Sequence, residues 1–82
     1  MSSQKTISER IQYAMDKQDM TQADLARKTQ LSTAVISQIV SGKTKNPSFN
    51  NMLKIAIALN VPLDYLGGSI SYYIVKYNET DI

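Results

Sequence analysis

The sequence is defined first by what it lacks. It contains no cysteine and no histidine. Disulfides, cysteine–histidine zinc sites, thiol nucleophiles and serine–histidine triads are therefore excluded, and no side chain is present whose ordinary titration falls near neutral pH. Long apolar runs are missing too. The longest, such as residues 55–59, have four or five residues, against the ~20 that a membrane-spanning helix needs. The first five residues, Met1 to Lys5, carry no apolar run and do not read as a signal peptide. With only 82 residues, the sequence has room for one modest core but not for a deep catalytic cleft. No two of its tyrosines, lysines, serines or carboxylates are placed by a catalytic motif. No catalytic residue, metal ligand, cofactor or small-molecule ligand is expected.

Hydrophobic residues make up 43% and charged residues 20%, which suits a compact soluble fold rather than a disordered chain. The net charge of +2 says little, but its distribution says more. No carboxylate lies between Asp24 and Asp64, while Arg27, Lys28, Lys43, Lys45 and Lys54 do. A basic middle with acidic ends fits a polyanionic partner; ordinary surface lysines are the alternative.

Ile7, Ile11, Ala14 and Met15 share one helical face, with Glu9, Arg10, Asp16 and Lys17 opposite. Thr21 with Asp24 three residues on has the form of a capping box opening a short helix that ends near Lys28. Ser32 is the next N-cap candidate, for a helix reaching about Ser41 and stopped by Gly42. A fourth helix carries Phe49, Met52, Leu53, Ile55, Ala56 and Leu59 and ends at Asn60. A fifth spans 62–66 with Pro62 in its first turn. The expected fold is all-α: a compact five-helix domain over residues 1–68, followed by a tail, 69–82. Each helix is too short to be stable alone, so the core must come from packing. The tail holds Ile70, Tyr72, Tyr73, Ile74 and Tyr77. Its β-branched and aromatic content favours a strand, although a helical stripe also fits. It reads as a dimerisation arm, as a segment folded back on its own domain, or as the stump of a linker to a lost domain.

The informative segment is 32–41. On a helical wheel Val35, Ile36, Ile39 and Val40 fall on one arc and must be core. Thr33, Ala34, Ser37, Gln38 and Ser41 fall on the other, which carries no charge where a solvated face would carry lysine and glutamate. Such a face suits a helix laid in the major groove. Small residues allow close approach, glutamine can pair with adenine N6 and N7, and alanine or threonine methyls can pack on thymine. A surface for another protein is the alternative. The preceding helix, the short turn 29–31 and Ala26 at the crossing complete a helix–turn–helix pattern with the second helix as reader.

At this point the chain resembles the helix-turn-helix domain of lambdoid-phage repressors and Cro proteins. Four pieces carry the likeness, in order and correctly spaced: residues 21–26, 31–39, 41–48 and 53–61, within a stretch of about 7–66. The resemblance implies base-reading roles for Thr33, Ala34, Ser37 and Gln38. It implies phosphate contacts for Gln22, Ser32, Ser41, Lys43, Lys45 and Asn46, the last being more often basic in the family. It further implies a homodimer on a palindromic double-stranded DNA operator, acting as a transcriptional regulator in the cytoplasm of a bacterial host, close to the nucleoid. Restriction–modification controller proteins and antitoxin-type autorepressors share this fold, and a protein-interaction module that has lost DNA binding is a further reading. Two departures stand out. Gln30 occupies a turn position usually held by glycine, where φ > 0 is expected. Met15 and Val40 stand where some relatives pair an arginine with a glutamate, so an apolar contact is expected there.

Overall fold

The computed structural model describes residues 6–67. Ile70, Tyr72, Tyr73, Ile74 and Tyr77, and with them the proposed arm, lie outside that range. Five α-helices follow in order: α1 (Ile7–Lys17), α2 (Gln22–Thr29), α3 (Thr33–Val40), α4 (Phe49–Leu59) and α5 (Leu63–Gly67). Among the described residues there is no strand.

Each helix begins where local chemistry dictates. Thr21 caps α2 reciprocally with Asp24, as its spacing requires. Thr6 does the same for α1 with Glu9. That second box has the same four-residue form, but Glu9 reads at first as a solvated side chain. Ser48 caps α4 through a bond from Asn51 N. Helix ends are equally local. Asp19, Gln30 and Asn60 take left-handed backbones at φ 53°, 63° and 58° and so break the helices before them. The expected strain at Gln30 is therefore present. α5 starts one residue later than the sequence suggests, with Pro62 just ahead of it.

Ile11, Leu25, Ile36, Ile39, Met52, Ile55, Leu59 and Leu66 form the fully buried centre. α2 packs on α3 and α4, α1 on α3 and α5, and α4 on α5. Leu53, placed with the apolar positions of α4, is 37% exposed, and Ile57 is 71% exposed. The one buried polar side chain among the described residues, Thr29, donates to Leu25 O at 2.8 Å, so its burial leaves nothing unpaired.

α1 and its C-cap residue Gln18 tie the other elements together with hydrogen bonds. Gln18 Nε2 donates to Leu59 O at the end of α4, at 2.6 Å. Arg10 Nη1 donates to Tyr65 O in α5 at 2.9 Å, and its guanidinium lies 5.7 Å from the Tyr65 ring centre. Ser8 Oγ and Gln12 Nε2 both donate to Val40 O, the last carbonyl of α3. Helix C-termini leave carbonyls that the helix cannot pair, and α1 supplies the donors at three of them.

Replacing Gln30 by glycine should relieve the left-handed backbone and stabilise the domain by about 1 kcal/mol, raising the melting temperature by about 4–8 °C. Thermal unfolding of Gln30→Gly checks this; an unchanged or lowered midpoint contradicts it.

Candidate nucleic-acid interface

α3 is held at its N-terminus by Ser32, whose Oγ accepts from Val35 N at 3.1 Å. Its inner arc is as the sequence requires: Ile36, Ile39 and Val40 are buried and Val35 is half-buried. Thr33, Ala34, Ser37 and Gln38 are all exposed. No acid stands in the first turn and no base in the last. The helix thus offers one uncharged, shallow outer face whose groups are a glutamine amide, two hydroxyls and two methyls. Hydroxyl and amide groups can donate and accept at base edges, and the methyls can pack on thymine.

At the C-terminal end of α3 the chain folds back over the helix. Ser41 N bonds Ser37 O at 2.9 Å, Gly42 N bonds Ile39 O at 3.2 Å and Thr44 N bonds Gln38 O at 3.0 Å. Ser41 Oγ donates to Gln38 O at 3.3 Å and accepts from Lys43 N at 3.4 Å. Gly42, at φ 88°, supplies the reversal. These bonds fix Lys43, Lys45 and Asn46, all exposed, in the loop just beyond the outer face. Two cations thus adjoin a surface that carries no charge of its own.

Gln22 is the first residue of α2 and is exposed. It shares with Thr21 and Ser41 the rim of a depression of about 410 Å³ between α1, the start of α2 and the end of α3. The structure therefore brings Gln22 and Ser41, nineteen positions apart in sequence, onto one surface. Ser32, also exposed, already uses its hydroxyl as the cap of α3. Met15 and Val40 are both buried in the core and both line that same depression, so these two positions carry no charge here. Gln12 and Ser8, which reach the end of α3 from α1, carry no helix-periodic or motif signal, and only the tertiary contact identifies them.

At the start of α2, Asp24 is held below the ordinary aspartate range. The causes are first the Thr21 backbone N–H donating to its carboxylate at 3.1 Å, then the Arg27 guanidinium at 2.6 Å, then the Thr21 hydroxyl. The Arg27 pair is solvent-exposed and worth little by itself; the place of Asp24 in the first turn of α2 is the favourable feature.

The helix-turn-helix family model matches residues 11–66, which takes in both helices, the turn and the basic loop. The chain belongs to the helix-turn-helix family. Its fold is that of the phage repressors. Over 78% of this chain and 96% of that one, it matches the crystal structure of the P22 c2 repressor in complex with a synthetic operator, with a TM-score of 0.71 and 31% identity. The solution structure of the P22 c2 DNA-binding domain agrees to a TM-score of 0.72, again at 31% identity, over 79% of this chain and 84% of that one. Curated relatives include the helix-turn-helix transcriptional regulators of the conjugative elements R391 of Providencia rettgeri and SXT of Vibrio cholerae. Each is 39% identical over 62 residues, or 76% of this chain. The chain spans 28% of the length of those relatives.

A carboxylate whose folded pKa is depressed stabilises the fold above its unfolded pKa and loses that contribution as pH falls through the folded one. Stability should thus decline as pH drops below the ordinary aspartate range, and Asp24→Asn should flatten part of that decline. Denaturant midpoints measured against pH for both proteins check this; parallel curves contradict it.

Proposed function

We propose that this helix-turn-helix protein is a sequence-specific, double-stranded DNA-binding transcriptional regulator of repressor type. On this reading α3 lies in the major groove, Thr33, Ala34, Ser37 and Gln38 read base edges, and Gln22, Ser32, Ser41, Lys43, Lys45 and Asn46 contact the backbone. The observation that carries it is the exposed, charge-free outer face of a capped helix with Lys43 and Lys45 held just past its end. The P22 c2 repressor was solved on an operator, and the curated relatives regulate conjugative elements. Control of a phage or other mobile element fits both. The family is one of regulators rather than enzymes. Among the described residues no helix is long and apolar enough to cross a membrane, and a cytoplasmic site of action follows from the proposed target.

The same reading includes a homodimer on a palindrome. A single small module makes few phosphate contacts and binds weakly at physiological salt, whereas two on a two-fold axis read half-sites about one helical turn apart. Apolar surface remains for such a contact. Tyr13, Ala14, Val61, Pro62 and Tyr65 line an apolar depression of about 350 Å³ on the α1–α5 side. Residues Ile70, Tyr72, Tyr73, Ile74 and Tyr77 supply the arm.

Two measurements test these assignments. On a duplex obtained by selection from random DNA, Gln38→Ala should cost ~1–3 kcal/mol and relax preference at one base pair, while Lys43→Ala should weaken all duplexes alike and make the salt slope shallower by about 1. Unchanged affinity and preference for Gln38→Ala would remove it from the reading face. Removing residues 70–82 should leave the helices folded and shift sedimentation towards monomer. A truncated chain that still sediments as a full dimer eliminates the arm.

A further inference from the structure

The reading helix is anchored to the core by Ile36, Ile39 and Val40, and such apolar contacts fix depth better than direction. Directional bonds hold its two ends. At the N-terminal end the Ser32 cap does this. At the C-terminal end, the carbonyls of Ser37, Gln38 and Ile39 are paired by the amides of Ser41, Thr44 and Gly42, all in the loop that α3 itself runs into. Val40 O is different, because its partners come from another helix. Gln12 Nε2 donates to it at 2.7 Å, and Ser8 Oγ also donates to it. The second Gln12 N–H reaches Ser8 Oγ at 3.0 Å. The three groups close on one another: both amide hydrogens of Gln12 are engaged, the Ser8 hydroxyl both donates and accepts, and both lone pairs of Val40 O are taken. The amide has one sensible orientation, since Oε1 turned towards Val40 O would set two acceptors face to face.

The neighbourhood is arranged for this approach. A Cβ at Gly42 would stand 3.6 Å from Ser8 Cβ, so the reversal after α3 passes directly against the start of α1. Met15, one turn further along α1, and the side chain of Val40 are buried and carry no charge. No ion pair therefore locks α1 to α3 at that point, and the lock is made on the backbone instead.

The geometry points to Gln12, with Ser8, as the positioning residue of the reading helix: a polar clamp from α1 that sets the tilt of α3 against the duplex while touching no base. The inference rests on α3 being the reader. Loss of the clamp should leave the cations of the loop in place, so long-range attraction persists. The register of Ser37 and Gln38 on base edges loosens, and small misplacements of oriented groups have large effects on what they recognise.

The test uses the full chain and its selected duplex, together with duplexes altered at single base pairs, over a salt series. Gln12→Leu keeps bulk and removes both donors. It should lower the ratio of affinities between preferred and altered duplexes by about 3- to 10-fold, the range a lost hydrogen bond implies, with the salt slope unchanged. Gln12→Glu, which aims a carboxylate at Val40 O, should lower the ratio further. Should Gln12→Leu not fold, Ser8→Ala removes the other donor at smaller cost in volume and reads the same ratio. A variant that melts earlier yet keeps the full ratio shows a merely structural bond and overturns the proposal, as does a variant unchanged in both. If the unaltered protein itself fails to discriminate between duplexes, the reader assignment falls, and the clamp's role falls with it. If it discriminates and the variants do so equally, the clamp alone is refuted.

Discussion

Carbonyl oxygens at helix C-termini are the constraint around which this small domain is organised. Five helices of five to eleven residues have many ends for little length, and every C-terminal end leaves acceptors that the helix cannot pair. Where water cannot reach them, unpaired acceptors cost more than a single bond ordinarily contributes. The chain meets this with α1 and its C-cap residue, from which Ser8, Gln12, Arg10 and Gln18 donate to the terminal or near-terminal carbonyls of α3, α5 and α4. These directional bonds fix how the elements sit, and the apolar core beneath them supplies most of the stabilisation.

That arrangement matters for the proposed function, which needs α3 held firmly while it carries almost nothing on its outer face. A reader with no charged groups cannot rely on long-range attraction. On the proposed reading Lys43 and Lys45 take that role, and the loop that carries them is itself bonded to Gln38 O through Thr44 N. Cations and reading groups therefore form one rigid unit at the end of one helix. On that reading affinity and discrimination rest on different residues: backbone contacts position the protein, and base-edge contacts specify sequence.

What the sequence reveals follows from how local each feature is. The Thr21–Asp24 box, the left-handed Gln30, the stop at Asn60 and the two arcs of α3 all depend on residues within a turn or two, and the structure reproduces them. The Thr6–Glu9 box was equally local and would have been found by the same four-residue rule. Arg10 falls on the polar arc of α1, yet its guanidinium turns back to Tyr65 O, fifty-five residues away. Gln12 and Ser8 are as hidden, because a glutamine facing solvent and one facing a distant carbonyl occupy the same helical position. The apolar register of Leu53 misled for the opposite reason: α4 is richer in apolar residues than its buried side can take.

The central claim is that the neutral outer face of α3 meets nucleotide edges. The most direct measurement is a backbone amide NMR titration of the full chain with a selected palindromic duplex. The account requires the signals of Thr33, Ala34, Ser37 and Gln38 to move with those of Lys43 and Lys45, and those of Tyr13 and Val61 on the α1–α5 side to follow only a change in oligomeric state. Saturating duplex that leaves the α3 amides in place, or that shifts the α1–α5 side alone, would contradict it.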